Sequence, residues 1–144
     1  MKQDKKVRDI MTKTLCTCTP NESVRDAAKL MDRYDIGFVA VCDREGCCTG
    51  VLTDRDMVIR CHAQSKDLHN TTVSEIMTKA PAKVTPDTTV DEALRLMSEY
   101  QIRRLPVEDN GVLVGILSIG DIARTCGCDA EIGSCECSIA EKSK

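Results

Sequence analysis

The sequence predicts a mixed α/β (α+β) chain made of two similar halves, each helix-strand-strand-helix. Three observations carry this reading: a duplicated segment, a helical spacing of apolar residues in each copy, and paired apolar runs joined by a glycine-bearing polar turn. Val7-Arg8-Asp9-Ile10-Met11-Thr12-Lys13 returns 66 positions later as Val73-Ser74-Glu75-Ile76-Met77-Thr78-Lys79. Residues 7–41 and 73–107 share 14 identities in 35 positions. After a one-residue deletion, Gly46, Gly50, Leu52 and Asp56 match Gly111, Gly115, Leu117 and Asp121.

The elements follow in order. Behind an extended lead-in, Val24, Ala27, Ala28 and Met31 fall at i, i+3, i+4 and i+7, and Val90, Ala93, Leu94 and Met97 repeat that spacing. Each set forms the apolar stripe of a surface helix, with Ser23 and Thr89 (or Asp87) as candidate N-caps. Phe38-Val39-Ala40-Val41 and Leu105-Pro106-Val107 are short buried-strand candidates. They lead into the turns Asp43-Arg44-Glu45-Gly46 and Glu108-Asp109-Asn110-Gly111. Second strands follow at Thr49–Leu52 and Val112–Leu117, and Thr53 and Ser118 stand where N-caps for Asp54–Arg60 and Ile119–Arg124 belong. His62 to Thr71 reads as a polar linker. The chain therefore divides into a first repeat with its lead-in (1–66), a second repeat (67–125) and a cysteine-rich tail (126–144).

Composition narrows the function. The 144 residues are 42% hydrophobic and 30% charged, which suits a folded core and disfavours disorder. Two Tyr, one Phe and no Trp leave no base-stacking platform. Basic and acidic residues number 12 and 10 in 1–66 and 8 and 13 in 67–144, so neither half is a phosphate-backbone binder. Nucleic acid is thus not an expected partner, while small anions need only a local cluster. No apolar run approaches a membrane span, and the charged N-terminus leads into no secretory h-region. A cytoplasmic protein with reduced thiols and no membrane partner is the expectation. His62 and His69 both fall in the linker and no nucleophile–base pairing is visible, so no enzyme is expected.

Taken together, Asp9-Ile10-Met11-Thr12 and Glu75-Ile76-Met77-Thr78, the pairs Thr19-Pro20 and Thr85-Pro86, and Arg104-Leu105-Pro106-Val107 make a specific pattern. With them come Gly50-Val51-Leu52-Thr53-Asp54-Arg55-Asp56 and Gly115-Ile116-Leu117-Ser118-Ile119-Gly120-Asp121. In that order the chain resembles a tandem pair of cystathionine β-synthase (CBS) domains, a Bateman module, over residues 7–125. The resemblance implies two repeats packed about a pseudo-twofold axis with two clefts between them. It also implies pairing into a homodimer, and binding of AMP, ADP, ATP or S-adenosylmethionine to regulate a partner whose identity it leaves unknown.

Such a ligand makes chemical demands that these residues meet. A ribose offers vicinal hydroxyls, which the ionised carboxylates of Asp56 and Asp121 are suited to accept. Thr53 and Ser118 cap helix N-termini that favour phosphate, and Arg55, Arg103 or Arg104 offer a planar cationic fork. Adenine would lie among aliphatic groups, its edge read by the backbone of Thr14-Leu15-Cys16 and Ala80-Pro81-Ala82, hence the candidates Thr14, Cys16 and Pro81. The plainer reading of Asp56 and Asp121 is complementarity to the helix dipole. Gly37-Phe38-Val39-Ala40 replaces Arg103-Arg104-Leu105-Pro106, and Arg55 stands against Gly120, so the two sites are not equivalent.

The ten cysteines leave a second function open. Cys126, Cys128, Cys135 and Cys137 form two Cys-x-Cys pairs that would supply a tetrahedral S₄ site for zinc or an iron–sulfur cluster. A disulfide from the tail to Cys47-Cys48 or to Cys16-x-Cys18 is the redox version, and free thiols in an acidic tail are the plain one. Cys61-His62 reads as packing and linker.

Overall fold

The structure, a computed structural model, describes residues 5–126. The elements run α1 (Val7–Ile10), β1 (Thr17–Cys18), α2 (Val24–Tyr34), β2 (Phe38–Cys42), β3 (Cys48–Thr53) and α3 (Asp54–Asp56), which continues as a π-helical stretch, Met57–His62. The second set is α4 (Val73–Ile76), β4 (Thr78–Lys79), α5 (Val90–Tyr100), β5 (Arg104–Asp109), β6 (Val112–Ser118) and α6 (Ile119–Cys126). The expected mixed α/β class and the four principal elements of each repeat are present. Two details differ. The lead-ins are not wholly extended, because Val7–Ile10 and Val73–Ile76 each close one helical turn. The helix expected over Asp54–Arg60 widens to π geometry from Met57 onward.

Local chemistry accounts for the boundaries. Ser23 Oγ accepts from the Asp26 amide and Thr89 Oγ1 from the Glu92 amide, so α2 and α5 start at hydroxyl caps. Both helices end in a left-handed residue that is not glycine, Asp35 and Gln101. The β2–β3 turn is tied by Asp43, whose Oδ1 accepts from the Glu45 and Cys47 amides, and Gly46 takes φ 88° there.

The chain packs as two compact units, and their membership departs from the order of the repeats. One unit is Cys16–Pro81 and contains Asp56; the other joins the described residues up to Leu15 to those from Ala82 onward and contains Asp121. Each lead-in therefore docks on the copy other than the one it leads into. The Val7 amide donates to the Thr88 carbonyl at 2.8 Å, and Thr12 exchanges amide–carbonyl bonds with Ile116 at 2.9 and 3.0 Å. In the Asp56 unit the Val73 amide donates to Glu22 O at 2.8 Å, and β4 pairs antiparallel with β3 through Gly50↔Lys79 and Val51↔Thr78.

The Asp56 unit carries a four-stranded sheet in the order β1-β2-β3-β4. The Asp121 unit repeats this layout, with β5–β6 flanked by single bridges, Val84↔Val107 and Thr12↔Ile116. Its core joins Val7 and Ile10 of the lead-in to Val90, Met97, Leu105, Leu117 and Ile122. The Asp56 unit buries Val73 and Ile76 against Val24, Met31, Val41, Leu52 and Cys61. Both cores are aliphatic with sulfur filler, as the aromatic shortage requires.

Candidate functional site

Each unit holds a hydroxyl and a carboxylate at the start of the helix that follows its central hairpin. In the Asp56 unit, Thr53 Oγ1 accepts from the Asp56 amide at 3.1 Å and Asp56 Oδ2 accepts from the Thr53 amide at 2.9 Å. In the Asp121 unit, Ser118 Oγ accepts from the Asp121 amide at 3.0 Å and Asp121 Oδ2 from the Ser118 amide at 2.9 Å. Each is a reciprocal capping box, formed because residues three apart bracket the first helical turn. The structural role foreseen for Thr53 and Ser118 is thus visible directly. A carboxylate has about four lone-pair positions, so Oδ1 of each aspartate keeps accepting capacity beyond the cap.

The surroundings of the two carboxylates differ. Asp121 is 6% exposed. Its Oδ1 accepts from Arg124 Nη2 at 2.5 Å, and Thr12 Oγ1 lies 3.4 Å from both oxygens. Asp56 has Arg60 Nε at 3.7 Å from its Oδ1. Arg124 and Arg60 were not singled out from sequence. The signal was available, since each arginine sits one helical turn beyond its aspartate, at i+3 and i+4, where side chains meet.

Sheet register brings further residues to these caps. Arg104 pairs with Ser118 across β5–β6, and the Ile119 amide donates to the Arg103 carbonyl at 3.0 Å, so both arginines border the Asp121 cap. Both side chains are exposed, so burial does not divide them into one inward and one outward residue. The matching positions in the other unit are Gly37 and Phe38. Phe38 pairs with Thr53, and the Asp54 amide donates to Gly37 O at 3.1 Å. A Cβ on Gly37 would lie 2.8 Å from Asp54 Oδ2, so Asp54 occupies the space that a side chain there would need. Arg55 is exposed beside Asp56.

The lead-in candidates divide between the two units. Thr14, exposed, belongs to the Asp121 unit, whereas half-buried Cys16 and Pro81 belong to the Asp56 unit. The Ala80 amide donates to Thr49 O at 3.2 Å, which fixes the segment entering Pro81 against β3.

Cys16, Cys18, Cys42 and Cys61 are free thiols. Burial, then the nearby Glu22 and Cys16, pushes the Cys18 thiol up to about 12. The Cys42 thiol is raised too, chiefly by its hydrogen bond to Cys48 and then by burial. Cys61 is fully buried and donates to Lys66 O at 3.6 Å, the packing role expected of it. At pH 8 a pKa near 12 leaves about one Cys18 in ten thousand as the reactive thiolate. Ellman titration of the native chain is expected to leave Cys18 unmodified, with rapid reaction only after denaturant. Among the described residues no group of three or more His, Cys, Asp or Glu side chains is placed to hold a metal ion. Cys128, Cys135 and Cys137 and the side chain of Cys126 lie outside the described residues. No helix among the described residues is long and apolar enough to cross a membrane.

A duplicated α/β unit, whose central hairpin in each copy runs into a helix opened by a hydroxyl–carboxylate capping box, defines the class: a tandem two-unit module. The chain belongs to the CBS domain family, which it matches over residues 7–62 and 73–127, and as a CBS-domain pair it is a regulatory type of module. It is 40% identical over 117 residues to the CBS domain-containing protein YhcV of Bacillus subtilis, covering 81% of this chain and 82% of that one. Among solved structures, Hypoxic Response Protein I with two coordinated zinc ions matches with TM-score 0.79 and 35% identity, over 84% of this chain and 98% of that one. The CBS domain pair of MJ0100, in complex with 5′-methylthioadenosine and S-adenosyl-L-methionine, matches with TM-score 0.76 and 32% identity, over 87% and 98%.

Proposed function

We propose that the chain is a non-catalytic sensor that binds an adenosine-containing ligand, AMP, ADP, ATP or S-adenosylmethionine, and passes the change to a partner protein. The observation that carries this reading is the twin arrangement at Thr53–Asp56 and Ser118–Asp121. Each sets a hydroxyl and a carboxylate at a helix start, the groups that a phosphate and a ribose would meet, and at Asp121 a ribose would take the place of the Arg124 and Thr12 bonds. The adenosine compounds held by the MJ0100 pair support it. Binding would bias an equilibrium between two conformations, which a partner reads by its different affinity for each. The same reading takes the chain as a cytoplasmic homodimer.

Calorimetry with AMP, ATP and S-adenosylmethionine tests this. At least one is expected to bind, and the double variant Asp56→Asn/Asp121→Asn, which keeps side-chain shape, is expected to lose that binding while melting as a folded protein. Absence of heat with all three ligands, or undiminished affinity in the double variant, overturns the proposal.

A further inference from the structure

Resting on that reading, we infer that the lead-in turn α4 keeps the Asp56 carboxylate open to its ligand by holding Arg60 away from it, so that docking of α4 and binding at Asp56 are coupled through Arg60.

Arg60 stands between two acceptors. Its Nη1 donates to the Ile76 carbonyl at 3.1 Å, while its Nε lies 3.7 Å from Asp56 Oδ1. The first contact is a hydrogen bond; the second is an ion pair beyond hydrogen-bond reach. Ile76 ends α4, and a one-turn helix leaves its last carbonyls without a helical donor, so the guanidinium fills a need there. The Asp56 side chain is 15% exposed and its Oδ2 accepts from the Thr53 amide. Among the described residues its Oδ1 accepts no hydrogen bond, which leaves that oxygen for a ribose hydroxyl.

The Asp121 unit shows what an arginine does when no such carbonyl holds it. Arg124 Nη2 donates to Asp121 Oδ1 at 2.5 Å, so the corresponding oxygen is taken. Thr125 stands in register with Arg60 there. Arg60 lies at i+4 from Asp56, a spacing at which opposite charges on a helix meet, and release of the Ile76 carbonyl would let it close on Oδ1 as Arg124 does.

The bonds that dock α4 thus decide where Arg60 points. The Val73 amide donates to Glu22 O, the Ile76 side chain is buried, and β4 pairs with β3 directly after the turn. Two arrangements follow. With α4 docked, Arg60 is drawn to Ile76 and Oδ1 is open; with α4 released, Arg60 covers Oδ1. A ligand that needs Oδ1 binds the first, so it favours docking, and docking favours the ligand by the same factor.

The test titrates AMP, ATP and S-adenosylmethionine separately into the full chain carrying Asp121→Asn, which leaves Asp56 as the carboxylate under study. Gly50→Ala, whose added Cβ would lie 2.9 Å from the Thr78 carbonyl oxygen, loosens the segment that follows α4. It is expected to weaken the bound compound by about tenfold. When Arg60→Gln is also present, the same change at Gly50 is expected to alter affinity by less than about twofold, a rescue that damage to packing would not give. Hydrogen exchange supplies a readout without Gly50→Ala. The Met77 amide, bonded to Val73 O, should exchange more slowly with saturating ligand, and Arg60→Gln should abolish that protection. Equal weakening by Gly50→Ala with and without Arg60→Gln overturns the inference, as does ligand protection of Met77 that survives Arg60→Gln. Loss of all binding with Asp121→Asn alone also overturns it. In each of these cases adenosine-ligand sensing itself stands. Failure of all three compounds to bind the unaltered chain overturns both.

Discussion

Leu117→Ala is expected to destabilise the Asp121 unit by about 2–5 kcal/mol, and Leu52→Ala the Asp56 unit by a similar amount. Both leucines are fully buried, at 0% exposure, and each sits on the central strand just before a capped helix. Truncation removes transfer free energy and leaves a cavity that neighbouring side chains fill only in part. Around Leu117 those neighbours include Val7 and Ile10 from the lead-in; around Leu52 they include Val73 and Ile76. The lead-in is therefore expected to loosen with the core. Urea unfolding monitored by circular dichroism measures the loss. A change below about 1 kcal/mol would mean that the leucine is not packed as described.

Gly50→Ala is expected to detach the Met77–Ala80 segment from β3, at a cost of about 1–3 kcal/mol. The added Cβ would lie 2.5 Å from Met77 Sδ and 2.9 Å from the Thr78 carbonyl oxygen. The thioether can swing aside, but the carbonyl is held by the β3–β4 pairing. Gly115→Ala meets the same pair of groups in the other unit, Met11 Sδ at 2.6 Å and Thr12 O at 3.1 Å. Because its backbone contact is looser, its cost should be smaller. Hydrogen exchange distinguishes local detachment from global unfolding: the Ala80 amide in Gly50→Ala, and the Thr12 amide in Gly115→Ala, should lose protection before the helical amides do. Uniform loss along the chain would contradict the docking described here.

Much of the architecture was legible in particular residues. The Val24–Ala27–Ala28–Met31 spacing and its copy at Val90 located α2 and α5, since a helix with one buried side must repeat apolar residues near every 3.6 positions. Ser23, Thr53, Thr89 and Ser118 marked helix starts because a short hydroxyl satisfies amides that the first turn leaves unbonded. Other features were not local. The π widening after Asp56 has no counterpart in the periodicity of the first repeat. The pairing of Arg124 with Asp121 and of Arg60 with Asp56 is the exception, a local feature carried by the i+3 and i+4 spacing. Nothing in the register of the repeat showed that the Asp54 carboxylate lies over Gly37, 2.8 Å from where a Cβ would stand.

The sequence by itself determined the duplication, through identities 65 and 66 positions apart, and the element order, the aliphatic cores and the two hydroxyl–carboxylate caps that follow the central hairpins, through short-range spacings. Tertiary structure alone decided which lead-in joins which unit. Val7–Ile10 and Val73–Ile76 offer nearly the same apolar face, so local preference does not choose between the copies. The exchange is recorded in long-range hydrogen bonds, Val7 to Thr88 and Val73 to Glu22, and in close approaches over Gly115 and Gly50. That exchange places Thr12 beside Asp121, and the environment of the carboxylate follows from it.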